Sequence, residues 1–372
     1  MSEKRTISLP VILLVFLLMT GTSCHVARYV WWNFANINDY KKFPVDSIPS
    51  SDKPHSFQVN SDMEDIDLPD SGYFEMKRLG PFLEQHKTVA FLIIRNDTLY
   101  YEKYFGKYSR ESVFPSFSVA KSFVSALVGI AIGEGKVKSV DQPVTDYIPE
   151  LKDPLFQQVT IRDLLEMRSG IHYKEGYSNP FGLMAKFYYG LNLKKYTLSL
   201  KMEGQPGIKY NYQSANTELL GIILERATGM SLSDYLAIKI WQPMGAEYPA
   251  SWSIDSKSDR QIKAFCCINA RTIDFAKFGQ LFLDKGIIGS DTLIPSSWVS
   301  ESLSIQTDSR DSEGFPYSYH WRVTEEGDFF AKGILGQYIY VCPEKKVVIV
   351  RIGKKSASIS WARFFRNLSR SL

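Results

Sequence analysis

The chain has 372 residues, 44% of them apolar and 23% charged, a composition that suits a folded globular protein of one large or two modest domains. A formal charge of +4, with Lys and Arg scattered along the chain, gives no electrostatic footprint for nucleic-acid binding. Four cysteines and five histidines never fall at ligand spacing, so neither a metal nor another cofactor is expected.

In chain order, Lys4 and Arg5 precede the apolar run ISLPVILLVFLLM and the small residues leading to Cys24. A basic start, a short apolar core and a cysteine predict a lipoprotein-type signal over 1–23, with Cys24 as the lipid acceptor. The run is short for a membrane span, which needs ~20 residues. The alternative is an uncleaved anchor steadied by Val30, Trp31 and Trp32. Either reading gives an exported, membrane-anchored protein facing the periplasm or cell surface. Residues 24–72, rich in Pro, Ser and isolated aromatics, are expected to be a tether, with the folded domain over 73–372.

EMKRLGPFLEQH reads as a short helix, and AFLIIRNDTLYYEKYF as a hairpin turning at Asn96-Asp97. A helix follows over Ser116 to Val137, then helices at Thr160 to Gly170, Asn216 to Gly229 and Ala270 to Gly286. YSYHWRV, DFFAKG, QYIYV and KVVIVRIG read as strands, and SISWARFFRNLSRSL as a closing helix. Strands near both ends with helices between them predict an α+β fold. One antiparallel sheet would be formed from both chain ends, with a helical insertion over about 135–260. Cys266 and Cys267 are adjacent, so no disulfide framework is expected.

The helix SFSVAKSFVSALVGIAIG carries two apolar stripes, Val119/Phe123/Ala126/Leu127/Ile130 and Ala120/Val124/Val128/Ala131. The third stripe is Ser118, Lys121, Ser122 and Ser125, at the i, i+3, i+4, i+7 spacing of one face. A helix apolar on most sides is buried. Burial disfavours the ammonium form of Lys121, and the positive end of the helix dipole acts in the same direction. A lysine that can give up its proton one turn from a hydroxyl is a general base beside a nucleophile. The first-turn amide of Ser118 could also donate to a developing oxyanion. No G-x-S-x-G elbow occurs, which argues against an α/β-hydrolase.

With S-V-A-K at Ser118 to Lys121 opening the helix, the chain resembles the serine β-lactamase and penicillin-binding superfamily, in its class C-like branch. GKVKSVDQPVTDYIPEL and VTIRDLLEMRSGI are similar to the stretches that follow the nucleophile helix there. Y-x-S-x-N-T at Tyr212 to Thr217 and G-I-x-G-Q at Gly333 to Gln337 resemble the 6-aminohexanoate-dimer hydrolase group. The resemblance implies a β-lactamase/transpeptidase-like fold and acyl transfer through a covalent Ser118 ester. It further implies Lys121 as base and Tyr212 as proton relay, with Tyr210 as the rival tyrosine. Ser214 and Asn216 take the place of the second motif, although either would serve equally as a helix N-cap.

The third motif departs. Where penicillin-recognising members carry K-T-G, this strand reads A-K-G, so Ala331 takes the lysine's place and Lys332 the middle one. Gly333 would still let substrate backbone approach closely, and the Ile334 amide would be the second oxyanion donor. The departure weakens a β-lactamase or carboxypeptidase reading more than the chemistry itself. The acidic deacylation residue of class A enzymes has no counterpart. Tyr177 and Asn269 are further pocket candidates, against the reading that each is a surface loop residue. The expected function is a serine hydrolase acting on a small-molecule amide or ester, or on a peptide. The alternatives are a penicillin-binding peptidase or β-lactamase, and a non-catalytic binding module that would typically lose the base or the tyrosine.

Overall fold

A computed structural model describes residues 24–32, 34–60, 64–68, 76–356 and 359–372. The expected signal segment, 1–23, lies outside them.

The strands explain the frame. β1 (Val45–Ile48) and β2 (Gln58–Val59) come first, followed by the hairpin of β3 (Thr88–Arg95) and β4 (Thr98–Tyr104). Asn96 and Asp97 both take positive φ, 48° and 58°, as a two-residue hairpin turn requires. β5 (Val113–Pro115), β6 (Ala250–Ser253), β7 (Ile268–Arg271) and the small pair β8 (Ile287–Ile288) and β9 (Asp291–Thr292) follow. The chain then runs through β10 (Tyr317–Ser318), β11 (Trp321–Val323), β12 (Phe329–Gly333), β13 (Gln337–Cys342) and β14 (Val347–Gly353).

The main sheet has eight strands in the order β10-β11-β12-β13-β14-β3-β4-β2. All its pairs are antiparallel except the short β2·β4 contact. β14 pairs directly with β3, Ile349 opposite Ile93 and Val350 opposite Leu92, so the expected sheet built from both chain ends is observed. A second sheet of four strands, β1-β6-β7-β5, stands beside it.

The helices are α1 (Cys24–Trp32), α2 (Leu79–Gln85), α3 (Ala120–Gly133), α4 (Ile161–Leu165), α5 (Leu183–Tyr189) and α6 (Leu193–Leu198). They continue with α7 (Ser214–Thr228), α8 (Leu232–Leu236), α9 (Thr272–Leu283), α10 (Ser296–Ser302) and α11 (Trp361–Ser371). Strand alternation sorts them onto two faces. Phe91, Ile93, Val347 and Ile349 pack against α2 and α11 through Phe82, Leu83, Trp361 and Phe365. Ala90, Leu92, Val348 and Val350 face the larger core that contains α3 and α9. In that core Phe123 of α3 stacks on Phe278 of α9, ring centroids 3.6 Å apart.

Three expectations change. Much of 24–72 is integrated into the domain instead of forming a free tether. α1 packs on α5, β1 pairs along its length with β6, and Ile48 and Phe43 are buried. The apolar residues there are spaced to meet a surface, not to repeat, so they carry no visible period. The helix expected over Thr160 to Gly170 stops at Leu165. A Thr160/Asp163 capping box starts it, but Met167 turns to φ 58° and its carbonyl accepts from the Asn211 amide, leaving nothing to continue the helix. Finally, Cys266 and Cys267 are joined to each other in a vicinal disulfide, while Cys342 is free and buried. Cys267 at φ 71° makes the turn within which adjacent sulfurs can meet.

Candidate active site

The residues around Ser118 are held by backbone, not by packing alone. Ser116 exchanges two hydrogen bonds with Ile268 of β7: its amide donates to the Ile268 carbonyl, and its Oγ accepts from the Ile268 amide. Phe117 then takes φ 45°, an uncommon setting for a bulky residue and a marker of a constrained turn. One turn of 3₁₀ helix, Phe117–Val119, leads into α3. This turn places Ser118 at the mouth of a cavity and Lys121 beneath it.

Lys121 is 1% exposed. Its Nζ lies 3.2 Å from Ser118 Oγ, 3.3 Å from Ser214 Oγ and 2.8 Å from the Phe265 carbonyl oxygen. The Tyr212 ring closes another side, its centroid 5.1 Å from Nζ. An amine among two hydroxyls, a carbonyl and a phenol ring has acceptors for its protons and a hydroxyl from which to take one. That is the arrangement a general base needs beside a nucleophile.

Ser214 opens α7, and a carboxylate that sequence reasoning did not find caps that helix. Glu175 accepts from the Ser214 amide at 2.8 Å and from Ser214 Oγ at 2.9 Å, and also from the Tyr177 hydroxyl at 2.8 Å. Ser118, Lys121, Ser214, Glu175 and Tyr177 therefore form one connected polar chain. Glu175 sits in a loop between short elements, where neither period nor motif marks it.

The cavity at Ser118 measures 220 Å³ and is walled by Tyr177, Tyr212, Arg322, Lys332, Gly333, Ile334 and Tyr338, among others. Gly333 is tight against the turn before α3, since a Cβ there would stand 2.7 Å from the Ser116 carbonyl oxygen. Only glycine lets β12 run this close, and Ile334, the next residue, lines the same cavity as Ser118. A larger cavity of 530 Å³, lined by His55, Phe57, Lys277 and others, holds none of the candidate residues.

Not every candidate joins the site. Asn216 turns inward, its Oδ1 accepting from Ser169 Oγ at 2.7 Å. Asn269 lies in the second sheet, with Nδ2 on Ser251 and Ser253 and a buried Oδ1 that has no partner among the described residues. Tyr210 packs on Tyr317 with its hydroxyl buried and without a partner among the described residues, while Tyr212 is the tyrosine against Lys121. On β12 Ala331 is buried and Lys332 reaches the cavity, paired with Glu313. The cation missing from the third motif's usual place is thus supplied one residue later. A second cation, Arg322 of β11, was not marked by any motif and also lines the cavity. Beneath the site His320 is buried, its ring nitrogens 3.0 Å from Thr217 Oγ1 and 3.3 Å from the Tyr317 hydroxyl. Burial first, and then the neighbouring Lys121 charge, push His320 well below the usual imidazole range.

Comparison with known proteins agrees with this geometry. The chain is 28% identical over 291 residues to the 6-aminohexanoate-dimer hydrolase of Paenarthrobacter ureafaciens, covering 73% of each chain. It is 29% identical over 149 residues to the esterase EstB of Burkholderia gladioli, 36% of this chain and 37% of that one. Among solved structures, a Bacillus anthracis protein assigned provisionally as a 6-aminohexanoate-dimer hydrolase superposes with a TM-score of 0.79 at 23% identity, over 92% of this chain and 94% of that one. The β-lactamase family pattern matches residues 77–359. The chain belongs to the β-lactamase family and is a serine hydrolase of amide or ester bonds.

Proposed function

We propose that this hydrolase cleaves a small amide by acyl transfer through Ser118, as the similarity to a 6-aminohexanoate-dimer hydrolase suggests. The observation that carries the reading is the 3.2 Å approach of Lys121 Nζ to Ser118 Oγ inside a buried pocket. Lys121 takes the Ser118 proton as Oγ bonds to the substrate carbonyl carbon, and the Ser118 and Ile334 amides face the resulting oxyanion. As the C–N bond breaks, Tyr212 gives its proton to the leaving nitrogen and is reprotonated from Lys121. Water then attacks the ester, losing its proton to the same pair, which passes it to Ser118 Oγ as the ester C–O bond breaks and Ser118 is released. A fluorophosphonate probe read by mass spectrometry tests this. Label is expected on Ser118 and lost in Ser118→Ala, and an unlabelled Ser118 in folded protein overturns it. Labelling by fluorophosphonate but not by penicillin separates this reading from a penicillin-binding peptidase or β-lactamase.

The proposal extends to location. The N-terminal segment is read as an export signal that leaves the domain held to a membrane through lipid on Cys24. No helix among the described residues is long and apolar enough to cross a membrane. Val30, Trp31 and Phe34 are exposed just after Cys24, with Trp31 86% exposed, and would suit an interfacial position. Fatty-acid labelling that persists in Cys24→Ala would overturn the lipid assignment.

A further inference from the structure

The disulfide between Cys266 and Cys267 lies between two backbone contacts to the Ser118 region. On one side of it, the Phe265 carbonyl accepts from Lys121 Nζ at 2.8 Å. On the other, Ile268 exchanges two hydrogen bonds with Ser116, at 2.7 and 3.0 Å. Residues 263–267, between β6 and β7, belong to no helix or strand, so no regular ladder sets the direction of the Phe265 carbonyl. Trp252 holds the segment from behind, its Nε1 donating to the Cys266 carbonyl at 2.8 Å and to the Lys263 carbonyl at 3.0 Å. The Ser253 amide donates to the Cys267 carbonyl at 3.0 Å. Both cysteines are buried, and Cys267 keeps a positive φ that a non-glycine residue seldom adopts. A bond between adjacent sulfurs closes a small ring around the peptide that links them, which removes backbone freedom at the residue next to Phe265 and at the residue next to Ile268.

Proton count explains why the direction of that carbonyl matters. A neutral amine has two N–H groups and one lone pair. The Phe265 carbonyl can only accept, so it takes one N–H. Ser214 Oγ gives its own proton to Glu175 at 2.9 Å, so toward Lys121, at 3.3 Å, it too accepts. The lone pair is left for the third neighbour, Ser118 Oγ at 3.2 Å. Were the Phe265 carbonyl to turn away, the amine would be free to rotate about its Cε–Nζ bond, and the lone pair would no longer be held toward Ser118. We propose that the Cys266–Cys267 disulfide is a positioning device for catalysis, holding the Phe265 carbonyl on Lys121 and Ile268 on Ser116 so that base and nucleophile stay aligned. The assignment rests on the acyl-transfer reading above and goes beyond it, since full activity then belongs to the oxidised protein alone. Reduction by a dithiol breaks the S–S bond with two electrons, each sulfur gaining a proton while the dithiol closes to its own disulfide.

The test uses the full chain, exported by its expression host so that the disulfide can form. Alkylation in denaturant should leave Cys266 and Cys267 unmodified before reduction and modify both after it; free thiols at both positions in fully active protein overturn the proposal. The oxidised wild type is then compared with the wild type reduced by dithiothreitol in mild urea and desalted, and with Cys266→Ser/Cys267→Ser. The readouts are the rate of fluorophosphonate labelling at Ser118 and the kcat and KM for p-nitrophenyl acetate. Labelling rate and kcat should fall together by about 10- to 100-fold in both altered proteins, with little change in KM. Reoxidation with oxidised glutathione should restore the reduced wild type, which carries the comparison alone where the double variant does not fold. Ile48→Ala, a buried truncation in β1, serves as the control for lost stability and should leave both rates near those of the wild type at a temperature where every protein is folded. Unchanged rates without the disulfide, with only the melting temperature lowered, overturn the positioning role and leave the acyl-transfer reading standing. An unlabelled Ser118 in the oxidised wild type overturns the acyl-transfer reading, and the positioning role with it.

Discussion

Lys121 shows how much a single side chain can hold in place. Two hydroxyls and one carbonyl lie within hydrogen-bond reach of its Nζ, so Lys121→Ala removes the proposed base and also leaves Ser214 and the Phe265 carbonyl without that partner. A loss of about 10²–10⁴ in kcat is expected, with near-native circular dichroism as the control for folding. Gly333→Ala should act differently. The added Cβ meets backbone, not a flexible tip, so β12 must move away from the nucleophile turn. The proposed oxyanion donor at Ile334 would move with it, and kcat should fall by ~10²-fold with little change in KM. His320 governs a pH dependence. Its folded-state pKa is lowered, so the unfolded chain binds the proton more readily, and the contribution is lost as pH falls below about 6.5. The melting temperature of the wild type minus that of His320→Gln should therefore shrink between pH 7.5 and pH 5; a constant difference would refute this. Ser118 and Lys121 were legible in the sequence because one helical face repeated them among apolar neighbours. Glu175 and Arg322 were not, because each acts across a gap in sequence that no local spacing encodes.

Elements near the start of the chain carry more than their composition suggested. β1 looks like linker, yet it forms the edge of the second sheet and buries Ile48 completely. Ile48→Ala should cost about 2–5 kcal/mol, read as a lowered denaturation midpoint; a loss under ~0.5 kcal/mol would show that the segment only rests on the surface. The hairpin of β3 and β4 and the helices α7 and α9 were legible because period and punctuation agree there, Gly229 ending α7 at φ 71°. The α4 region was misread for a physical reason. Its apolar spacing continues past Leu165, but its backbone partners belong to the 203–211 segment, and a long-range hydrogen bond overrules a local pattern.

At the scale of the molecule, the fold class followed from strands at both ends and helices between, and the pairing of β3 with β14 fulfils it. The substrate side of the pocket did not follow, since β11, β12, α7 and the 173–177 loop contribute one or two groups each from distant parts of the chain. The same β3·β14 pairing has a consequence in time. Residues 88–95 must wait for residues 347–353 before their backbone groups are satisfied on that side. The central sheet therefore cannot close until residues 347–353 have left the ribosome, and until then the edge of β3 stays open to a chaperone or to another chain.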